Sequence, residues 1–173
     1  MDKNKIGVGI IGAGLLGERH TRVYSEMPNT QVVAVADIRP EHGQQVAAKY
    51  GAQWYADYNQ MLRDPAIQAV SVVTPDHAHR DPVVACLAAG KHVLTEKPIA
   101  TTVEDACAML TARGARQVFM VNYSQRLLAE YAWIKRTIDA GLIGAPLMVQ
   151  SLKHDRISVP TDMLKTWSGH SSP

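Results

Sequence analysis

Cysteine is scarce in this chain. Only Cys86 and Cys107 occur among its 173 residues. They stand in no CxxC pair and no zinc spacing, which excludes a disulfide scaffold and a zinc knuckle. Read as two buried free thiols in helix-like segments, they fit a reducing, cytoplasmic compartment. An excess of charge is missing as well. The net charge is +2, with no basic cluster and no aromatics interleaved with one, which argues against nucleic-acid and membrane-surface partners. No run approaches the ~18 consecutive apolar residues of a membrane span. The stretch from Ile6 to Leu16, with Lys3 and Lys5 before it, loosely mimics a signal peptide. Gly7, Gly9, Gly12 and Gly14 interrupt it, however, and no convincing cleavage site ends it. Repeats and low-complexity tracts are absent. What remains is an ordinary globular balance, 46% hydrophobic and 20% charged, which predicts a packed core. The length suits one complete domain and the start of another.

Strand-like and helix-like segments alternate. Ile6–Ile11, Val32–Ala36, Ala69–Val73, His92–Leu94 and Val118–Val121 are short runs rich in valine and isoleucine. Their near-continuous apolar character predicts a parallel sheet covered on both faces. Between them the pattern predicts helices at about Leu16–Glu26, Glu41–Lys49, Tyr58–Leu62, Pro82–Ala89, Val103–Arg113 and Glu130–Ala140. Pro40 falls at the start of the second helix, and Gly90 and Gly141 end two others. The expected fold is α/β, a doubly wound Rossmann-type sheet. Composition shifts after about residue 141. Gly141 to Pro146 reads as a linker and Leu147 to Lys153 as a new strand, followed by a polar tail. The expected division is therefore 1–122 for the Rossmann domain. Residues 123–173 would be a linker helix and the first strand of an incomplete α+β domain. Without sheet partners that strand would be an open edge, prone to self-association as a homo-oligomer.

Gly12-Ala13-Gly14-Leu15-Leu16-Gly17 follows the first strand and opens the first helix. A GxGxxG alone is a weak signal, but here the strand, the loop and the helix come in the right order. Gly12 permits the tight turn, Gly14 the approach of a pyrophosphate, and Gly17 close packing of helix on strand. The helix N-terminus adds free N–H groups and partial positive charge for phosphate. Asp37 ends the second strand, about twenty residues past the loop, where a ribose-binding carboxylate belongs. A carboxylate there favours NAD and repels the 2′-phosphate of NADP. Arg39 reads either as a counter-charge to that phosphate or as a solvated surface cation, so NADP use stays open.

Two further loops lie at the carboxyl ends of strands, where open α/β sheets bind ligands. One runs through Thr74-Pro75-Asp76-His77-Ala78-His79. The other runs from Gly90-Lys91-His92-Val93-Leu94 into Glu96-Lys97-Pro98. Together with the glycine loop, Asn122-Tyr123, Arg126 and the Gly141-to-Pro146 segment, they make residues 5 to 150 resemble the Gfo/Idh/MocA oxidoreductases, the glucose–fructose oxidoreductase and inositol dehydrogenase family. The resemblance implies an NAD(P)-dependent enzyme acting on sugars, cyclitols or related polyols. It implies that Lys97 stands beside the nicotinamide and the reacting hydroxyl. There it would bind the substrate oxygen, stabilise negative charge on it or relay a proton. Glu96 would lie under the nicotinamide ribose, His79 near the cofactor, and Pro98 would fix the loop in either peptide isomer. His77 has no assigned role and reads as solvent-facing. As metal ligands His77 and His79 lack further partners nearby in sequence, so no metal is expected.

The chain departs from that family where the general base would stand. The family's Asp…His segment lies past the matching residues, and His154 and His170 are out of context for it. Alignment of the reacting groups supplies roughly 7–11 kcal/mol at best in such reactions. A placed base supplies ~10²–10⁴-fold more. The chain alone is therefore expected to bind cofactor but to be nearly inactive. The alternative is a nucleotide-binding module without redox activity, or a truncated inactive product.

Overall fold

The computed structural model describes residues 5–152. Its first 30 or so positions set the plan for the rest. β1 (Ile6–Ile11) is buried from Gly7 onward and runs straight into the glycine loop. α1 (Leu15–Glu26) then returns the chain, and β2 (Thr30–Ala36) lies parallel to β1. The pattern repeats through α2 (Pro40–Lys49), β3 (Gln53–Tyr55), α3 (Tyr58–Met61), β4 (Ala69–Val72), α4 (Arg80–Ala88), β5 (His92–Glu96), α5 (Val103–Ala112), β6 (Phe119–Asn122) and α6 (Ala129–Asp139). All pairings are parallel, in the order β3-β2-β1-β4-β5-β6. That order reverses direction between β1 and β4. Connections leave in opposite senses there, and in open α/β sheets the carboxyl ends of the strands at such a point are where ligands bind.

Local chemistry explains where the helices begin and end. α2 starts at Pro40, whose missing N–H has no helical partner to lose at that position. α5 is capped by Thr102, whose hydroxyl accepts from the Asp105 N–H at 3.1 Å. Glu104 and Asp105 in its first turn complement the helix dipole. Gly90 adopts φ 78° after α4, and the Lys91 N–H folds back to the Cys86 carbonyl at 3.0 Å. A residue with a side chain is strained in that left-handed conformation.

Alternate strand residues feed two cores. Ile11, Val70, Val72 and Val93 pack with Met61, Leu62, Val83, Leu87 and Met109 on one face. Val8, Ile10, Val32 and Val35 pack with Val46 and Ala47 on the other. Each fully buried aliphatic side chain contributes about 1.5–3 kcal/mol, and helices on both faces explain why these strands read as continuous apolar runs. Lys91 is one of the polar residues that are buried. Its ammonium donates to the Asp64 and Ile67 carbonyls at 3.0 and 2.7 Å, which pins the loop before β4 to the start of β5.

Three expectations need correction. β3 was not anticipated. It is a three-residue edge strand paired with β2 through Ala34–Ala36, and it is too short to give an alternating pattern. Leu147 to Leu152 form no strand. A strand needs a neighbour for its N–H and C=O groups, and none pairs with this segment among the described residues. Lys153 and the tail, with His154 and His170, lie outside the described residues. Finally, Cys107 is exposed and only Cys86 is buried. α5 turns Met109 inward, which places Cys107 on the outer side. Burial pushes the Cys86 thiol up to about 12, and only the thiolate reacts readily. Iodoacetamide should therefore add once to the native chain, at Cys107, and a second time only on unfolding. Two adducts under native conditions would contradict the packing of α4.

The described residues fall into two compact units, one ending at Asn122 and one starting at Tyr123. No helix among the described residues is long and apolar enough to cross a membrane.

Candidate functional site

The glycine loop is built by two of its three glycines. Gly12 has φ 97°, and a Cβ there would lie 2.6 Å from the Val73 carbonyl oxygen. A Cβ on Gly17 would lie 1.8 Å from the Gly12 oxygen. The fold itself thus demands glycine at both positions. Gly14 is different. Its φ is −67°, and a Cβ there would meet only the Arg39 guanidinium, at 3.9 Å. Nothing in the protein requires glycine at 14, so the open space over it is available to a ligand. Gly14 is also the N-cap of α1 and gives no side-chain cap. The Glu18 N–H makes the first helical bond, back to the Gly14 carbonyl. The N–H groups of Leu15, Leu16 and Gly17 therefore have no intrahelical acceptor. Leu15 and Leu16 are themselves exposed.

Asp37 lies against this loop. It is buried, and its Oδ2 accepts the Ala13 N–H at 2.6 Å. Its Oδ1 accepts the Arg39 N–H at 2.8 Å and faces the Arg39 Nε at 3.4 Å. A carboxylate offers about four lone-pair sites, two on each oxygen, so these three bonds fill Oδ1 and leave one acceptor site, on Oδ2. The Arg39 side chain is more than half exposed.

The second loop leaves β4. Thr74 donates its hydroxyl to the Ala78 carbonyl at 3.0 Å across a short 3-10 turn. Pro75 caps that turn. His79 closes it and is 1% exposed. Its Nε2 lies 3.0 Å from the Thr74 carbonyl and its Nδ1 2.9 Å from the Pro98 carbonyl. The imidazole therefore latches the Thr74-Pro75 loop to the Glu96-Lys97-Pro98 loop. Both of its ring nitrogens are occupied and unavailable to a metal. His77 is exposed beside Asp76. Among the described residues no group of three His, Cys, Asp or Glu is placed to hold a metal ion.

The third loop leaves β5. The Lys97–Pro98 bond is cis. Lys97 is exposed, and its ammonium has no ion-pair partner among the described residues. Glu96 is held from three sides. Its Oε1 accepts from Asn122 Nδ2 at 2.6 Å and lies 3.2 Å from His20 Nε2. Its Oε2 accepts the Lys97 N–H at 3.3 Å. Burial raises the affinity of this carboxyl for its proton. The hydrogen bonds from His20, Asn122 and the Lys97 N–H together outweigh burial and hold it below the usual glutamate value.

Residues 6–123 match the oxidoreductase family with an NAD-binding Rossmann fold. The chain belongs to the Gfo/Idh/MocA family. Within that family it is 37% identical over 150 residues to inositol 2-dehydrogenase 1 of Saccharopolyspora erythraea, covering 83% of this chain and 44% of the relative. It is 29% identical over 170 residues to the NAD(+)-dependent scyllo-inositol 2-dehydrogenase of Bacillus subtilis, covering 96% and 50%. The crystal structure of myo-inositol dehydrogenase from Lactobacillus casei, in complex with NAD(H) and myo-inositol, superposes with a TM-score of 0.79 at 34% identity. That match covers 83% of this chain and 44% of the other. The chain spans about half the length of the curated relatives it matches.

As in other Gfo/Idh/MocA folds, this domain is an NAD-binding Rossmann unit. The structure brings Gly12, Gly14, Gly17, Asp37 and Arg39 together at one loop, and Thr74, His79, Glu96 and Pro98 into a second linked cluster. Sequence reasoning missed His20 and Ser71. The signal for His20 was present, because it stands three residues after Gly17. Gly17 packs on β1, so one helical turn later His20 faces the sheet too.

Proposed function

We propose that the chain is the cofactor-binding half of an NAD-dependent oxidoreductase acting on a cyclitol or a related polyol or sugar, working in the cytoplasm. Residues 123–173 would begin its substrate domain. Gly14 carries the reading. It is the one glycine of the loop that the fold does not need, and a close-approaching pyrophosphate explains it. The names of the relatives supply the substrate class.

Bound NAD would supply the hydride acceptor. The chain's own residues do the rest. The free N–H groups of α1 hold phosphate oxygens, helped by the helix dipole. Asp37 accepts a ribose hydroxyl with the Oδ2 lone pair that Ala13 leaves unused, and a second on Oδ1 once the exposed Arg39 side chain swings away, and it repels a 2′-phosphate. Thr74, Pro75 and His79 shape the loop along the nucleotide. Lys97 binds the substrate oxygen and stabilises negative charge on it, or passes its proton.

Calorimetry with NADH and NADPH titrated separately tests this. NADH should bind at least about tenfold more tightly than NADPH. Asp37→Asn should weaken NADH and narrow the gap, because the neutral amide no longer repels the 2′-phosphate. NADPH binding as tightly as NADH would overturn the assignment of Asp37. Failure of both nucleotides to bind would overturn the cofactor reading. A polyol panel that includes myo- and scyllo-inositol, run with and without the C-terminal half of an inositol dehydrogenase, separates an oxidoreductase from a nucleotide-binding module.

A further inference from the structure

We propose that His20 is a positioning residue, which bridges Ser71 and Glu96 so that the phosphate-loop helix fixes the carboxylate next to Lys97 and leaves its second oxygen for a ligand hydroxyl. The proposal deepens the reading of the crevice as an NAD site and rests on it.

The geometry is specific. His20 Nδ1 lies 2.9 Å from Ser71 Oγ, and Nε2 lies 3.2 Å from Glu96 Oε1. The His20 and Glu96 side chains are 14% and 13% exposed. These partners settle the direction of the bonds. Glu96 ionised is an acceptor only, so His20 Nε2 carries a proton toward it. In the neutral ring Nδ1 is then an acceptor, and Ser71 donates to it. In the imidazolium both nitrogens donate, and Ser71 accepts. Either way Nε2–H points at Glu96.

Two donors, His20 and Asn122, converge on Oε1 alone. Among the described residues Oε2 receives only the Lys97 N–H, at 3.3 Å. One oxygen is therefore anchored from α1 and β6, and the other keeps acceptor capacity. A polar cluster at a largely covered helix–sheet contact is disfavoured unless its members are paired. An apolar trio at 20, 71 and 96 would pack the same interface without that requirement. The polar set instead fixes the orientation of the carboxylate that precedes Lys97, whose ammonium has no ion-pair partner among the described residues. It also links that loop to the helix whose N-terminus faces the phosphates.

The test compares His20→Leu with His20→Gln in the full chain. Glutamine places an N–H donor near the position of Nε2, and leucine places none. Two quantities are read: the Glu96 carboxyl titration by carbon NMR, and the NADH dissociation constant. Thermal unfolding establishes that each variant is folded. If leucine prevents folding, His20→Asn, too short to reach Glu96, replaces it. With leucine the Glu96 titration should move up, and NADH should bind roughly tenfold more weakly, the value of one charge-assisted hydrogen bond. Glutamine should restore both to near wild type. An unmoved Glu96 titration would show that the bridge does not form. A moved titration with unchanged NADH affinity would make the bridge purely structural. Either result overturns the proposal. If wild type binds no NADH, the reading of the site fails first and takes this inference with it.

Discussion

Gly17→Ala should destabilise the domain by about 3 kcal/mol or more, while Gly14→Ala should leave stability within about 1 kcal/mol and weaken NADH binding at least tenfold. The two glycines sit in one motif, but they answer to different partners. A methyl on Gly17 would lie 1.8 Å from the Gly12 oxygen. That is backbone against side chain in a buried turn, and no rotamer relieves a Cβ. α1 would have to lift from β1, which would disturb the central pairs of the sheet. Since a domain of this size has only about 5–15 kcal/mol to lose, loss of cofactor binding would follow from loss of structure. A methyl on Gly14 has room in the protein and an ordinary φ. Its effect on folding is the small balance between reduced unfolded-state freedom and a weaker N-cap. Its effect on binding is steric, because it projects where the phosphates approach. Urea unfolding and calorimetry on both variants check the pair. Unaltered NADH affinity in Gly14→Ala would remove the observation on which the proposed function stands.

His79→Leu should cost about 1–3 kcal/mol of stability and loosen two loops at once. The imidazole is 1% exposed and lies between the Thr74 and Pro98 carbonyls. A neutral ring donates to one of them, and an imidazolium to both. Leucine fills the volume but donates to neither, so the carbonyl that the neutral ring serves loses its donor. Loss of such a donor costs about 1–3 kcal/mol. Hydrogen exchange should report faster opening at residues 74–79 and 96–99, with the core of β1 and β4 unchanged. A loss below about 1 kcal/mol would mean that water takes the place of the ring. That result would remove the latch as an explanation of why the two loops hold together.

The resemblance to the family was carried by motifs that act through the backbone, and these were the parts legible in sequence. Gly12 and Gly17 are constrained by carbonyl oxygens a few residues away or on the adjacent strand, so the pattern alone locates the turn. Five strands were legible because burial on both faces removes polar residues from them. β3 was not, since three residues at a sheet edge with Gln, Trp and Tyr carry no period. Leu147 to Leu152 misled for the opposite reason. Their side chains favour a strand, but propensity cannot provide a partner. Asp37 was legible as an acceptor, but its bond to Ala13 was not, because a contact across 24 positions leaves no local trace. The spacing after Gly17 placed His20 toward the sheet, but its pairing with Ser71 went unnoticed for the same reason. They lie 51 positions apart, and each alone is an unremarkable residue on a helix and a strand.

The strand order has a kinetic consequence. Of the six strands β1 is made first, but it lies in the interior of the sheet, between β2 and β4. Val8 pairs with Val32 early in synthesis, but its other edge waits for Ala69. Until then a fully apolar strand is exposed along one side, a state open to wrong association in the crowded cell. Pairings so distant in sequence are slow to form. Nascent chains stalled before β4 should thus engage chaperones, and release should follow synthesis of the segment through Val72.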